Sequence, residues 1–566
     1  MKRMDPRQAD LAFVSPATPM FSEIMQRIED DVDLSEGRKR DLISGLRRVA
    51  RALGRAPQEV PADTRWLQPR LAAVAPAALG LTAKSWQNAL SDARSAMGHV
   101  GIVKRRNRRL DELAPAWQDL WTSVRASQDR SITAALYRFV HFLNTAGVAP
   151  DRVTQADAEA YLVALEADEI SKSPQGAWRA AINNWNLAQD RIAGWPMIRL
   201  SLPRRQVVHK LPDDALSPEF LDDLAALMRR MAAPDPFAET GPSRPLRPNT
   251  LFQYERQIKR FASILVTDGV PARDIPTVAA LCDPRMAERG LRVMVARRGN
   301  RTGKLIAETA ALLRNLATKL DLGADVRKRL VGLAAKVAVP AQKGMTEKNS
   351  TRLRVLQDEK VLRRLLDLPE VLFDRAMKKG TPYAAALARE EALAIALLLA
   401  CPVRISNIAG IHIEQHLQRP GDGRVFLVLA GEEVKNALPI EFELPDDVRR
   451  MITRHLASRS PLLCPPGTPW LFPLRNGSGP MDGNVLSSRL RKRIRKEIGV
   501  VMNAHLFRHL AAMIWLDANP GAYEAARRLL GHSELSHTIN LYSGLEARSA
   551  MQAYGRVLAE KRGRKP

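Results

Sequence analysis

One pattern of apolar residues occurs three times in the first 335 residues, and it restricts the fold more than any other feature. Each copy opens with an amphipathic helix, apolar at positions i, i+3, i+4 and i+7. A glycine follows at the helix end, where a left-handed backbone costs it little. A short stretch rich in Pro and Ala then leads to an apolar residue. The pairs are Gly54 with Val60, Gly147 with Val153, and Gly269 with Ile275.

A further helix is predicted to close each copy, at residues 84–97, 176–188 and 305–317. True repetition and chance similarity among helical hairpins both remain open, because Trp86 and Trp178 fall at similar places but have no equivalent in the third copy. Stretches rich in Pro or basic residues separate the copies, and they predict linkers at 199–211, 232–248 and 337–349. We therefore expect an N-terminal helical unit at 1–112, a second at 113–200, a third at 245–335, and a different domain at 350–566.

The chain carries a large excess of positive charge, with 87 Lys and Arg against 61 Asp and Glu and a net charge of +26. Such an excess, spread along the chain, favours a polyanionic partner. Basic segments occur at 104–109, 296–304 and 489–496. The last overlies an apolar stripe of Leu486, Leu490, Ile494 and Ile498, which predicts a helix with a cationic outer face. Contact with phosphate and an ordinary solvated face are both open there.

Cysteine usage and hydropathy exclude several classes of protein. Cys282, Cys401 and Cys464 are odd in number and have no metal-ligand spacing, which predicts a reducing cytoplasm and neither disulfides nor zinc. The longest apolar run, residues 392–403, is too short to span a bilayer and contains Pro402. We expect no membrane partner.

The last domain contains an ordered set of polar residues that suits metal-free cleavage of a phosphodiester. Two guanidiniums can clamp the phosphate as it gains charge. A tyrosine can attack it and keep a covalent link. A lysine can protonate the leaving oxygen, and imidazoles can hold the phosphate or move protons. The set is Arg404, Lys435, His505, Arg508, His532 and Tyr542.

The local sequence around each residue fits its role. Arg404 follows the apolar helix that Pro402 ends, so it is rigidly placed. His505 and Arg508 share one face of a helix. Lys435 lies near a hairpin tip, between strands predicted at 425–430 and 437–444.

The motifs of this region resemble those of the tyrosine recombinase (phage integrase) family. The segment PVRISNIAGI resembles the family's first arginine box, HLFRHLAA its His-x-x-Arg-His box, and LLGHSELSHTINLYS its closing Leu-Gly-His…Tyr box. PWLFP resembles the Leu-Phe-Pro segment that precedes the second box. The resemblance covers residues 389–544. Residues 245–335 resemble the family's core-binding domain.

The resemblance implies a mainly α fold: tandem helical DNA-binding units, then a mixed α+β catalytic domain with a small antiparallel sheet. It implies a site-specific recombinase, an integrase or transposase of a mobile element, in a bacterial, nucleoid-associated setting. Tyr542 is its nucleophile, forming a 3′-phosphotyrosyl intermediate on the path to a Holliday junction. No cofactor or metal is required. The implied partners are double-stranded DNA, further protomers in a tetramer on two duplexes, and sister recombinases or accessory proteins.

Two departures from the family pattern leave alternatives open. Asn407 stands where the family often has an acidic residue, and the spacing from His532 to Tyr542 is one residue longer than is commonest. The alternatives are a type IB topoisomerase, which shares the chemistry without partner exchange, and a non-catalytic DNA-binding assembly subunit of the same fold.

Overall fold

Most of the chain consists of helices, as the predicted fold class requires. A computed structural model describes residues 14–104, 110–170, 173–203, 211–235, 237, 245–340, 344–378, 381–434, 438–542 and 547–563. The chain divides into two compact bodies. One comprises Met1–Leu202 with Lys343–Pro566, and the other is Pro203–Gln342. In the described part of the chain, no helix is both long and apolar enough to cross a membrane.

The first two helical units have the same order of elements. Each has four helices around its own apolar core. The first unit consists of α1 (Phe21–Glu29), α2 (Glu36–Ala52), α3 (Thr64–Ala73) and α4 (Ala83–His99). The second consists of α5 (Pro115–Ala126), α6 (Arg130–Thr145), α7 (Gln155–Asp168) and α8 (Pro174–Arg191).

Among the described residues, the body of residues 203–342 has two helices more than either of the first two units. It contains α9 (Pro218–Ala232), α10 (Pro248–Thr267), α11 (Val278–Leu281), α12 (Pro284–Ala296), α13 (Lys304–Lys319) and α14 (Ala324–Lys336). Its core includes side chains of α9, which lies between two of the predicted linkers.

The glycine of the sequence pattern makes the same turn in all three units. Gly54, Gly147 and Gly269 have φ values of +67°, +71° and +89°. The left-handed backbone ends each long helix and lets the chain reverse. A short 3₁₀ helix follows each time, and Val60, Val153 and Ile275 are then buried at 0%, 2% and 2% exposure. The three sequence copies are therefore three copies of one structural turn.

The described C-terminal part of the first body contains a small sheet, with six helices before it and six after it along the chain. Before the sheet come α15 (Glu347–Val355), α16 (Glu359–Leu366), α17 (Leu368–Lys378), α18 (Pro382–Ala400), α19 (Ile405–Ala409) and α20 (Ile413–His416). After it come α21 (Asp446–Ala457), α22 (Gly483–Glu497), α23 (Ala504–Ala518), α24 (Tyr523–Leu530), α25 (Leu535–Tyr542) and α26 (Ala547–Lys561).

The sheet is antiparallel with strand order β1 (Leu417–Gln418), β2 (Phe426–Leu429) and β3 (Ile440–Glu443). Strands β2 and β3 confirm the two predicted strands, and Leu427 pairs with Phe442. Leu427 and Leu429 alternate inward onto the core, as a half-buried strand requires. The core itself is built around α18, whose side chains from Ala392 to Leu398 are nearly all inaccessible to solvent.

Candidate active site

Helix α18 fixes the position of the first arginine. The helix ends at Ala400 because Pro402 follows and cannot continue it. Arg404 then begins the short helix α19 as its N-cap residue, without using its side chain to cap it. Its guanidinium is partly buried, and burial lowers its pKa. Arg404 is thus held at the end of a rigid apolar helix, as predicted.

Helix α23 carries the second arginine. Asn503 caps the helix by accepting a hydrogen bond from the backbone N–H of Leu506. Arg508 is only 3% exposed. Its Nη1 donates to the carbonyl of Pro402 at 2.6 Å, and its Nη2 donates to that of Leu530 at 2.5 Å. These bonds join α23 to the start of α19 and to the end of α24.

Burial and the neighbouring charge of Arg404 lower the pKa of Arg508 to about 10. This places the two guanidiniums close enough to repel each other. Within the described residues, neither of them forms an ion pair with a carboxylate, so the pair is a positive site whose charge the protein leaves uncompensated. Such a site favours an anion.

Tyr542 ends α25 and lies in a small core of its own. It is 1% exposed and packs with Ala512, Leu516, Ala526 and Leu530. Its hydroxyl lies 3.1 Å from Nδ1 of His509. Burial raises the pKa of the Tyr542 hydroxyl, and the nearby Arg508 opposes that rise.

His532 lies beside Tyr542, where the chain turns between α24 and α25. Gly531 ends α24 in a left-handed conformation with φ of +57°. Nδ1 of His532 is 2.9 Å from Oγ1 of Thr538. The His532 and Tyr542 rings are parallel, with centroids 6.4 Å apart. The Leu-Gly-His segment therefore forms a corner that positions the imidazole.

His505 is the exposed member of the group, one turn before His509 on α23. The two imidazole centroids are 4.6 Å apart. Partial burial lowers the pKa of His505, as do the charges of Arg508 and Arg404. The pKa of the deeper His509 falls to about 3, first because of burial and then because of the surrounding cations. His509 is therefore neutral at physiological pH.

The structure brings five of the six predicted residues together: Arg404, His505, Arg508, His532 and Tyr542. Lys435 lies outside the described residues. His509 stands in the HLFRHLAA box but is not among the site residues predicted from the sequence. Its spacing from His505 places both on one face of α23, which was the available indication.

Asn407 supports the segment that leads to Lys435. Its Nδ2 donates to the carbonyl of Glu433 at 3.3 Å. The carboxylate of Glu433 lies 3.0 Å from Nε2 of the buried His416. An amide at position 407 can donate this bond, whereas an ionised carboxylate cannot.

A second group of arginines lies on and beside α22, which is the helix predicted to have a cationic outer face. Leu486, Leu490 and Ile494 are buried beneath it, as the apolar stripe predicts. Arg489 and Arg493 do not belong to a free cationic face, because they pair with the buried Glu390 and Glu391 of α18. We call Glu390, Glu391, Arg475, Arg489 and Arg493 the paired cluster.

The paired cluster is held by short contacts. Arg489 Nη2 lies 2.8 Å from Glu390 Oε2, and Arg493 Nε lies 2.6 Å from Glu391 Oε2. Arg475 also contacts Glu390, at 3.1 Å. Arg491, Lys492 and Lys496 remain exposed on the outer side of the helix. These three cations form the outer face of the helix, which is cationic as predicted but narrower than the run of basic residues indicates.

Comparison with known proteins identifies this part of the chain. Residues 359–548 match the model of the phage integrase family. No protein of curated function matches the chain in sequence.

Several solved recombinase structures are similar to the chain. One is the XerH site-specific recombinase bound to its palindromic difH substrate, with 15% identity and a TM-score of 0.34 over 61% of this chain and 98% of that one. Another is the Tn1549 transposon integrase with a circular intermediate DNA, with 16% identity and a TM-score of 0.33 over 59% and 98%. The integrase of mycobacterium phage Brujita has 17% identity and a TM-score of 0.22 over 52% and 83%.

At these identities and TM-scores, the assignment depends on the family model. That match spans Arg404, the two histidine boxes and Tyr542. Residues 359–548 are therefore a phage integrase domain, and through them the chain has the catalytic domain of a tyrosine recombinase.

Proposed function

We infer that the chain is a site-specific DNA recombinase, an integrase or transposase of a mobile element, that works through a 3′-phosphotyrosyl intermediate. One observation carries the proposal: a tyrosine hydroxyl lies among histidines next to two arginines that have no described carboxylate partner. Two adjacent guanidiniums in a partly dry site match the charge and the shape of a phosphodiester.

The proposed first step is attack by the Tyr542 oxygen on the scissile phosphorus. The new P–O bond to Tyr542 forms as the bond to the 5′ oxygen breaks. The tyrosine proton passes to a neutral imidazole, and His509 is the nearest acceptor. Arg404 and Arg508 stabilise the charge that builds up on the non-bridging oxygens.

Lys435 is assigned the remaining proton transfer, to the departing 5′ oxygen. Its assignment rests on the family resemblance, and Asn407 anchors the chain shortly before it. The second step reverses the first: a 5′-hydroxyl of the partner duplex attacks the phosphotyrosyl bond. Energy is conserved in that bond, so the chemistry needs no nucleotide or metal.

Cleavage requires a change around Tyr542. The side chain is 1% exposed, so DNA cannot reach its hydroxyl in this conformation. The α24–α25 corner must shift when DNA binds, so that the hydroxyl becomes accessible to the phosphate. Exchange of strands through a Holliday junction requires four such sites on two duplexes, so several protomers act together. In such an assembly, the exposed Met551 and Tyr554 of α26 would pack on a neighbouring protomer.

The helical units are proposed to extend the DNA contact. The bounds predicted for these units from the sequence are 1–112, 113–200 and 245–335, and the catalytic domain follows at 350–566. The shared turn of the three units supports a shared role, and the chain's net charge of +26 supports a duplex as their ligand. Deletion of residues 1–200 is expected to shorten the protected footprint on the cognate site.

The test of the proposal is a nicked suicide site that traps the covalent intermediate on a denaturing gel. Wild type is expected to form an adduct on DNA that flanks its own gene. Tyr542→Phe is expected to form none, because it lacks the attacking oxygen. Tyr523→Phe is the matched control and should retain the adduct. Relaxation of any supercoiled plasmid without site preference would instead indicate a topoisomerase.

A further inference from the structure

A four-residue 3₁₀ helix of the first helical unit lies against the catalytic domain. We call this segment, Pro76–Leu79, the docking turn. It follows α3 and is ended by Gly80, whose φ is +69°. It meets the catalytic domain where α22 ends and the connector to α23 begins.

The closest approach is at Gly499, in that connector. Gly499 has a φ of +92°, and a Cβ on it would lie 2.5 Å from the backbone nitrogen of Ala78 and 2.6 Å from its Cβ. No side chain fits there without a shift of backbone. A glycine at this position therefore serves two needs, the left-handed turn and the approach of Ala78.

Two arginines of the catalytic domain hold the docking turn. Arg364 donates from Nη1 to the carbonyl of Ala77 at 3.3 Å and from Nη2 to that of Glu497 at 2.9 Å, so it bridges both surfaces. Arg495 donates from Nη2 to the carbonyls of Ala72 and Ala73 at 3.0 and 3.2 Å. Those carbonyls end α3, where unpaired acceptors and the helix dipole favour a cation.

The contact lies next to the catalytic helix along the chain. Beyond Gly499, Val500 and Met502 are buried, and Asn503 caps α23, which carries His505, Arg508 and His509. A change in the position of Gly499 is passed to the start of α23 through this short buried connector.

We propose that the docking turn is an internal interaction surface by which the first helical unit sets the start of α23, so that placement of this unit controls cleavage. The activity part of this proposal rests on the proposed function. The docking part does not, because it concerns the free protein.

The test uses the full chain with the double variant Arg364→Ala, Arg495→Ala. The matched control is Lys360→Ala, Arg363→Ala, which removes the same charge from exposed positions of the helix that carries Arg364. The first measurement is deuterium uptake of peptides covering residues 72–80 and 495–503, without DNA. We expect faster uptake in the double variant and unchanged uptake in the control. Equal uptake in the two proteins would overturn the docking.

The second measurement is the single-turnover rate on the suicide site. We expect a fall of about threefold to tenfold, which corresponds to the net free energy of about one ordinary hydrogen bond. Faster uptake with an unchanged rate would overturn the control of cleavage. If wild type itself fails to cleave, the proposed function fails while the uptake result still decides the docking.

A second variant approaches the surface without touching the arginines. Ala78→Gln places a longer side chain against Gly499 and is expected to raise uptake in the same peptides. Leu79→Gln, at an exposed position of the same turn, is its control and is expected to leave the uptake unchanged. Uptake in Ala78→Gln that equals its control would contradict the contact at Gly499.

Discussion

The catalytic domain uses arginine in two opposite ways. In the paired cluster, Arg489 and Arg493 contact buried carboxylates at 2.8 and 2.6 Å. In the candidate active site, Arg508 contacts only backbone carbonyls among the described residues, and Arg404 stands beside it. Both groups lie next to α18, and both contain buried charge.

This difference indicates that the paired cluster has a structural role, whereas the arginines of the candidate active site are available to bind a ligand. A buried charge is tolerated when an opposite charge compensates it, and the paired cluster satisfies that rule with protein groups alone. The site satisfies it only when an anion arrives. A cluster of uncompensated arginines is thus a better guide to a phosphate site than the density of basic residues along the sequence.

The largest expected effect comes from removing a guanidinium of the site. Arg404→Ala should lower the single-turnover cleavage rate by about 10²- to 10³-fold, because one donor to the transition-state charge is lost. The measurement is the rate of adduct formation at saturating protein. Arg475→Ala, in the paired cluster, is the control and should keep its rate per folded molecule. An equal fall of the cleavage rate in both variants would contradict the difference between the candidate active site and the paired cluster.

Breaking the paired cluster should instead reduce stability. Glu391→Gln leaves Arg493 and Arg489 without one carboxylate and is expected to lower the free energy of unfolding by about 3 kcal/mol. Chemical denaturation measures this, and Glu370→Gln on the surface is the control. A stability equal to that of the control would show that the cluster is not compensating a buried charge.

The buried histidine of the site should make stability depend on acid pH. The folded state holds the pKa of His509 at about 3, below the ordinary value of 6.5. The unfolded state therefore binds more protons below pH 6.5, and stability is lost as the pH falls from there towards 3. The loss from this group is at most about 1.4 kcal/mol per pH unit.

Denaturation at pH 7 and pH 5 measures that slope. His509→Gln is expected to flatten it. His455, beside the paired cluster, has its pKa lowered to about 4 and contributes a slope of its own, which remains in the variant. An unchanged slope in His509→Gln would contradict a neutral imidazole at this position.

The smallest expected effect concerns the support of His532. Thr538→Val removes the hydroxyl 2.9 Å from its Nδ1 while keeping the shape. Loss of one neutral hydrogen bond costs about 1 kcal/mol, so the cleavage rate should fall by about fivefold. A rate equal to wild type would mean that the histidine is aimed by packing alone.

Sequence alone predicted the parts of the fold that depend on periodicity and turns. The turns at Gly54, Gly147 and Gly269 could be placed because left-handed backbone requires a particular residue type. Strands β2 and β3 followed from alternation. The candidate site residues Arg404, His505, Arg508, His532 and Tyr542 were identified from the motifs that contain them.

Pairing between distant charges could not be predicted. Glu390 and Glu391 lie in an apolar helix some hundred residues before Arg489 and Arg493, and only the folded chain shows that they pair with these two arginines. The same holds for His509, whose role depends on the depth at which Tyr542 is buried. Local pattern gives residue types and faces, whereas compensation of charge is a property of tertiary contacts.

The most direct test of the account is to identify the amino acid linked to DNA. The trapped adduct is digested with nuclease and trypsin, and mass spectrometry locates the residual nucleotide. We expect one modified peptide, residues 529–548, with the nucleotide on Tyr542. A nucleotide on Tyr523, or on any other residue, would contradict it.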